Sequence, residues 1–406
     1  MKILHVLAQL PTRTGSGVYY SSMVEEFKKY NHDQRAIFAY QDGFKWHILD
    51  EDYQYAVEFK SEEVPFPIVG MSDVMPYDNT LYSNMTDDMM ALWKQAFIKR
   101  LERAREEFDP DIVFAHHLWI LTSMTREVFP DKKVIGICHN TDLRQARMNP
   151  HIKEKHVKNI HELDYVFSIS EEQKDQIVEI YGIDRDRIIN VGGGYNQNIF
   201  YPPKEKTYAD KVRLVFCGKI DPSKGVYELI EAYKSLGLED VTLDIIGSPI
   251  GENKERIERY IGDDTSIRVY NVKDQVALGE EFRKKDVFVM PSYYEGLGLV
   301  AIEALASGLY VVVTEIEALM ALLGDKINSS GVIKYVQPPR IYDTDKPLEE
   351  DLPAFKGRLK EAMLEQIEKV RQRKNCHKEV EDQIRALSWE GLVERMNEII
   401  KAIVDK

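Results

Sequence analysis

Residues 287–308 constrain the fold of this chain more than any other stretch. Val287-Phe-Val-Met290 is a short unbroken apolar run, the pattern of a buried strand. It meets the turn signal Pro291-Ser292, then Glu295 and two glycines flanking Leu297. A helix-forming run follows from about Leu299 to Ser307, and Gly308 stands where a left-handed residue usually closes a helix. A strand, a glycine-rich turn and a helix start together present free backbone N–H groups and the positive end of a helix dipole, which suits a phosphate. Two carboxylates bracket the turn, Glu295 in the loop and Glu303 about one helical turn in. Acidic groups beside a phosphate site are poor anion ligands but good acceptors for sugar hydroxyls.

At 406 residues the chain exceeds one average core and is most simply two domains. An apolar fraction of 44% excludes the disordered and fibrous classes. No window reads as a membrane span, and Met1-Lys-Ile-Leu-His-Val-Leu-Ala8 reads as a first strand rather than a signal-peptide core. Cys138, Cys217 and Cys376 are scattered without metal-ligand or disulfide spacing, which fits a reducing cytosol. A net charge of −14 argues against nucleic acid as a partner, although a local basic pocket for a nucleotide diphosphate stays open.

The strand–loop–helix pattern recurs along the chain. Ile3–Leu10 runs into Pro11-Thr-Arg-Thr-Gly-Ser-Gly17 and a helix to about Lys29. Residues 41–85 are aromatic-rich and broken by Pro65, Pro67 and Pro76, and no regular structure is assigned there. A helix from about Thr86 to Phe108 carries the apolar stripe Met90, Trp93, Phe97, Leu101, Ala104 and Phe108. Its basic residues read as a solvated face, leaving at most a weak peripheral membrane contact, because acidic residues dilute them. The strand 111–115 ends in His116-His117, and the strand 134–138 ends in His139-Asn-Thr-Asp142. Polar groups at the carboxyl ends of parallel strands sit where open α/β sheets bind ligands. Ser170 N-caps a helix to Tyr181, and a short strand leads to Gly192-Gly-Gly-Tyr-Asn196. Beyond the polar, proline-containing stretch at 201–211, Val212–Cys217 feeds Gly218-Lys-Ile-Asp-Pro-Ser-Lys-Gly225, where Lys219 and Lys224 are placed to converge on one diphosphate. Residues 337–353 read as an acidic loop, about 355–374 as a helix, and Leu392–Val404 as a last amphipathic helix.

Pro-Ser-x-x-Glu-Gly-Leu-Gly-Leu-x-x-x-Glu-Ala closely resembles the E-x7-E signature of the retaining glycosyltransferases of family 4. That resemblance implies the GT-B fold, two Rossmann-like parallel-sheet domains facing across a cleft. The expected organisation is an acceptor-side domain at 1–200, a linker at 201–211, a donor-binding domain at 212–385 and a C-terminal helix at 386–406 crossing back to the first domain. It further implies that Glu303 holds a ribose and Glu295 the donor sugar. Lys219, Lys224, Gly218 and the backbone of Gly296, Leu297, Gly298 and Leu299 hold the diphosphate, and Gly15 and Gly17 let the first domain's backbone approach it. His139, in a match to the family's His-Gly-Thr-Asp with Asn140 in the glycine position, contacts the sugar near the reacting carbon. Residues 315–319 lack the double glycine usual in the family. Asn196 stands where the family has Asp.

The implied activity is transfer from a nucleotide sugar, with UDP-sugar favoured over GDP- or ADP-sugar, to an acceptor hydroxyl of a glycan, glycolipid or small molecule. No cofactor and no metal are expected. The D-x-D strings at Asp50, Asp184 and Asp343 lack a preceding apolar strand and read as solvated loops. The expected location is the cytoplasm, at the inner face of the membrane where a peripheral contact forms. Two alternatives stand beside transfer: a catalytically idle GT-B subunit that organises a partner, and a GT-B epimerase or phosphorylase.

Overall fold

The computed structural model describes residues 1–73, 75–204, 210–343 and 345–404. The chain divides into two compact units. Unit 1 comprises Met1–Gly192 and Leu392–Lys406, and unit 2 comprises Gly193–Gly391.

Unit 1 is built on six parallel strands: β1 (Lys2–Val6), β2 (Asp33–Ile37), β3 (Ile112–His116), β4 (Lys133–Ile137), β5 (Tyr165–Ser168) and β6 (Ile188–Asn190). Their order is β6-β5-β4-β3-β1-β2. Side chains alternate between the two faces, as the two-residue period of a strand requires. Leu4, Val6, Val113, Ala115 and Val134 join one core with Trp93, Phe97 and Leu101 of helix α2 (Asp87–Glu107). On the other face His5 and Phe114 pack with Phe27 of helix α1 (Gly15–Phe27). Thr86 caps α2 by accepting from the Met89 N–H, and the stripe read from the sequence is buried.

Unit 2 repeats the plan with β7 (Val212–Cys217), β8 (Val241–Ile246), β9 (Ile267–Tyr270), β10 (Val287–Met290), β11 (Tyr310–Thr314) and β12 (Ile333–Val336), all parallel. The order β9-β8-β7-β10-β11-β12 is that of the doubly wound nucleotide-binding sheet. Leu214, Phe216, Val287 and Val289 pack with helix α6 (Val226–Lys234) and with Phe355, Leu359 and Met363 of helix α9 (Leu352–Arg371). The intervening Val215, Phe288 and Met290 pack with helices α7 (Leu299–Ala306) and α8 (Glu317–Ser329). The central strand β10 is buried at every residue, which is why it reads as an unbroken apolar run.

Several expectations change. The first unit ends at Gly192 rather than residue 200, because Tyr195 bridges Ser388 and Phe200 is buried against Phe282 within unit 2. Residues 205–209 of the expected linker lie outside the described residues. The stretch 41–85 enters two small parallel ladders, Val57–Glu58 with the preceding Ala39–Tyr40 and Val69–Gly70 with Thr80–Leu81. Its aromatics, Trp46, Tyr55, Phe59, Phe66 and Tyr82 among them, are buried in the core. Within the acidic stretch at 337–353, Ile341–Tyr342 pairs antiparallel with Lys346–Pro347, and α9 starts at Leu352. The last helix, α10 (Trp389–Val404), begins before Leu392, and its residues from Leu392 onward belong to unit 1.

Candidate active site

In unit 2 the strand order reverses between β7 and β10, and the crevice at such a reversal is where open parallel sheets bind ligands. The two loops that meet there carry most of the sequence candidates. A Cβ on Gly225 would stand 2.2 Å from the Pro291 carbonyl oxygen, and Gly225 has φ 63°, so only glycine lets the loops touch. The Tyr293 N–H donates to the Ser223 carbonyl at 3.0 Å, stitching the same two loops. Across that seam the Lys224 ammonium meets Glu295 Oε1 at 2.7 Å, and the Ser292 hydroxyl donates to the same oxygen at 3.0 Å. Thr314 on β11 fixes this corner by donating to the Ser292 carbonyl at 2.7 Å. Gly298 (φ 72°) opens α7, with Gly296 and Leu299 exposed and Leu297 buried.

Glu303 lies half-buried in α7, its carboxyl desolvated and without a hydrogen-bond partner among the described residues. Loss of solvent around it raises its pKa to about 8. The Cys217 thiol, at the end of β7, is pushed up to about 12 by burial and by the Glu303 charge, so it is no nucleophile. Gly218 follows it, and a Cβ on Gly247 would meet the Gly218 carbonyl oxygen at 2.3 Å. Lys219 is exposed and forms no ion pair among the described residues. The structure thus joins Lys224 to Glu295, while Lys219 stands apart from that pair.

In unit 1 the reversal lies between β1 and β3. His139, beyond the end of β4, is held through its backbone: its N–H donates to Asp142 Oδ1 at 3.1 Å, while Asp142 Oδ2 accepts the Leu118 N–H at 2.7 Å. The His139 ring lies in a nest of aromatic groups. Its Nε2 is 3.0 Å from His116 Nδ1, and its centroid is 4.8 Å from His117 and 5.2 Å from Tyr19. Burial lowers the His139 pKa to about 3 and holds His116 and His117 well below their ordinary value, so all three rings are neutral at physiological pH. Where His116 Nδ1 carries the hydrogen, His139 Nε2 accepts it, leaving the His139 Nδ1–H as a donor.

Asn140, in the position of the family's glycine, adopts φ 66° and ψ −38°. Gly17 is engaged within its own loop. It is buried, its N–H donates to Thr14 Oγ1 at 3.0 Å, and a Cβ there would meet the Leu10 carbonyl at 2.6 Å. Its role is to let the loop fold on itself, whereas Gly15 is exposed with open space around it. Tyr19, Ser292 and Asp142's support of Leu118 were not legible as site features. Tyr19 lies on the buried face of α1, where an aromatic residue reads as core. Among the described residues no group of three or more His, Cys, Asp or Glu is placed to hold a metal ion, and no helix is long and apolar enough to cross a membrane.

Two parallel six-stranded sheet units, each with its polar groups at a strand-order reversal, define the GT-B class of glycosyltransferase fold. Solved structures agree: sucrose-phosphate synthase from Thermosynechococcus elongatus has a TM-score of 0.67 at 15% identity, covering 99% of both chains. A glycosyltransferase from Rickettsia africae has a TM-score of 0.68 at 14% identity, covering 100% of this chain and 99% of that one. Two adjoining family models match, Glycosyltransferase Family 4 over residues 82–196 and Glycosyl transferases group 1 over residues 197–338. The chain belongs to this family. Among curated relatives, D-inositol 3-phosphate glycosyltransferase 2 of Catenulispora acidiphila is 28% identical over 200 residues, 45% of this chain and 46% of that one. Mannosylfructose-phosphate synthase of Agrobacterium fabrum is 31% identical over 171 residues, 37% of each chain. The chain thus spans less than half the length of these relatives.

Proposed function

We propose that the protein is a retaining glycosyltransferase that moves a sugar from a nucleoside-diphosphate sugar, a UDP-sugar by preference, to an acceptor hydroxyl. The observation that carries this reading is the Lys224–Glu295–Ser292 constellation at the reversal point of unit 2. A cation held by a carboxylate before any ligand arrives is positioned for a diphosphate without reorganising at the moment of reaction. In this reading Lys224 and Lys219, with the N–H groups of residues 296–299 at the start of α7, take the charge that develops on the departing diphosphate. Glu295 accepts from hydroxyls of the donor sugar and Glu303 from those of the ribose. Unit 1 contributes His139, a neutral imidazole that donates to a sugar hydroxyl.

The bond from the anomeric carbon to the phosphate oxygen breaks, the bond to the acceptor oxygen forms on the same face, and the acceptor's proton passes to the departing phosphate. No protein nucleophile is needed. Transfer is metal-independent in this reading, which rests on where the D-x-D strings lie. Asp50, Asp52, Asp184 and Asp186 are exposed in short turns, and Asp343 pairs with Lys346. The test is a thermal-shift and turnover screen with UDP-, GDP- and ADP-sugars, each with and without excess EDTA. A shift and turnover with one nucleotide sugar, unchanged by EDTA, is expected. Loss of turnover in EDTA that manganese restores would overturn the metal-free reading. The absence of any shift or turnover would overturn the transferase itself.

A further inference from the structure

Asn140 adopts a backbone conformation that few non-glycine residues hold. With φ 66° and ψ −38°, and with the Thr141 N–H donating to the His139 carbonyl at 2.8 Å, it is the central residue of a positive-φ γ-turn. That turn is rare and strained for an L residue, and strain of this kind persists only where the surroundings over-determine it. The surroundings here are specific. Asn140 Oδ1 accepts from Gln173 Nε2 at 2.7 Å. Gln173 is 1% exposed, and its other side-chain atom, Oε1, accepts the Ile169 N–H at 2.8 Å at the end of β5. The helix that carries it, α5 (Glu171–Tyr181), is fixed at its start by Ser170 Oγ, which accepts the Gln173 N–H. One buried amide therefore ties the turn after β4 to the end of the neighbouring strand and to a capped helix.

We infer that Gln173 is a positioning residue that holds the strained Asn140 turn, and through it sets the His139 imidazole against His116. The strained residue is the immediate neighbour of His139, whose carbonyl closes the turn and whose N–H is tied to Asp142. The backbone on either side of this histidine is thus fixed by different side chains, Asp142 from the first turn of α4 (Thr141–Met148) and Gln173 from α5. Asn140 and Gln173 work as a pair: glycine at 140 would hold the same φ without help, and asparagine holds it with the amide of Gln173. The inference rests on the assignment of His139 to the sugar site only for its consequence in catalysis.

The test is a rescue. Gln173→Leu removes both side-chain bonds at similar volume and is expected to release the turn. In 15N-histidine-labelled, ligand-free protein, the His139 Nε2 and His116 Nδ1 resonances should shift or broaden, and turnover with the nucleotide sugar found in the donor screen should fall about tenfold. Adding Asn140→Gly to Gln173→Leu should return the imidazole resonances towards wild type and recover most of the turnover, because glycine no longer needs holding. A merely structural role for Gln173, bracing Ile169, would not be rescued by a change at residue 140. Unchanged imidazole resonances in Gln173→Leu, or a double variant no better than the single one, would overturn the inference. If Gln173→Leu fails to fold, the comparison of Asn140→Gly with Asn140→Ala keeps it testable: glycine should leave the imidazole pair intact and alanine should disturb it, and equal spectra would overturn it. The spectra need no substrate, so failure here is distinct from failure of the transferase reading.

Discussion

Glu303 shows what a single desolvated carboxyl does to both stability and binding. Its folded pKa of about 8 lies above its unfolded value, so the folded chain holds a proton there that the unfolded chain releases. Stability from this group is fully present below the unfolded carboxyl range and is lost as the pH rises to about 8. Glu303→Gln, which has no charge to desolvate, should melt with wild type at about pH 4 and above it at about pH 9, by differential scanning fluorimetry. Binding runs the other way. Ribose hydroxyls that donate to Glu303 favour the carboxylate, so nucleotide-sugar affinity should strengthen with pH by up to about tenfold per unit below pH 8 and level off above it. The same substitution should weaken binding and flatten that slope. A pH-independent wild-type Kd, measured by calorimetry from pH 6 to 9, would remove Glu303 from the ribose. This glutamate was singled out in the sequence by the resemblance to the E-x7-E signature. Its raised pKa was not legible there, because burial depends on which chains pack over α7.

The elements were legible in proportion to how their burial writes itself into sequence. Strand β10, buried at every residue, reads as an apolar run, and α2 shows its stripe at helical spacing, whereas the edge strand β12, with Lys334 and Tyr335 half-buried, was not read as a strand. The ladders between residues 39 and 81 were not legible, since strands of two residues are too short to carry a period. Glycines were only half legible. Gly17 looked like a ligand-facing glycine and serves its own loop, while Gly225 looked like part of a lysine loop and is what lets two loops meet. Gly225→Ala tests that second role. A methyl 2.2 Å from a carbonyl oxygen must move the β7 or the β10 loop, and an L residue at φ 63° adds its own strain. The expected cost is about 2–4 kcal/mol of stability. Moving either loop separates Lys224 from Glu295, so nucleotide-sugar affinity should fall at least tenfold while the variant remains folded at low temperature. Undiminished affinity in a folded variant would show that the seam does not set the pair.

At the scale of the whole molecule, the chain passes through its second unit and then returns fifteen C-terminal residues, Leu392–Lys406, to its first. That return was suggested by family resemblance alone, because an amphipathic helix says that it is buried without saying against what. Within unit 1 it buries Leu392, Val393, Met396, Ile400 and Ile403, and Asn397 Oδ1 lies 2.8 Å from His32 Nε2 just before β2. Arg395 adds a bond to the Val191 carbonyl at 3.3 Å, at the end of the same unit's sheet. Five large apolar side chains at about 2 kcal/mol each amount to roughly 10 kcal/mol, comparable with the whole net stability of a domain. A chain ending at Gly391 should therefore lose the fold of unit 1 while unit 2, whose two core clusters lie within residues 193–391, keeps its own. Hydrogen exchange separates the two outcomes peptide by peptide. Amides of β1 to β5 should exchange at unprotected rates in the truncated chain, and those of β7, β8, β10 and β11 should stay protected. Retained protection in β1, β3 and β4 would mean that the first unit folds without its last helix, and that the return is an ornament on a core already complete.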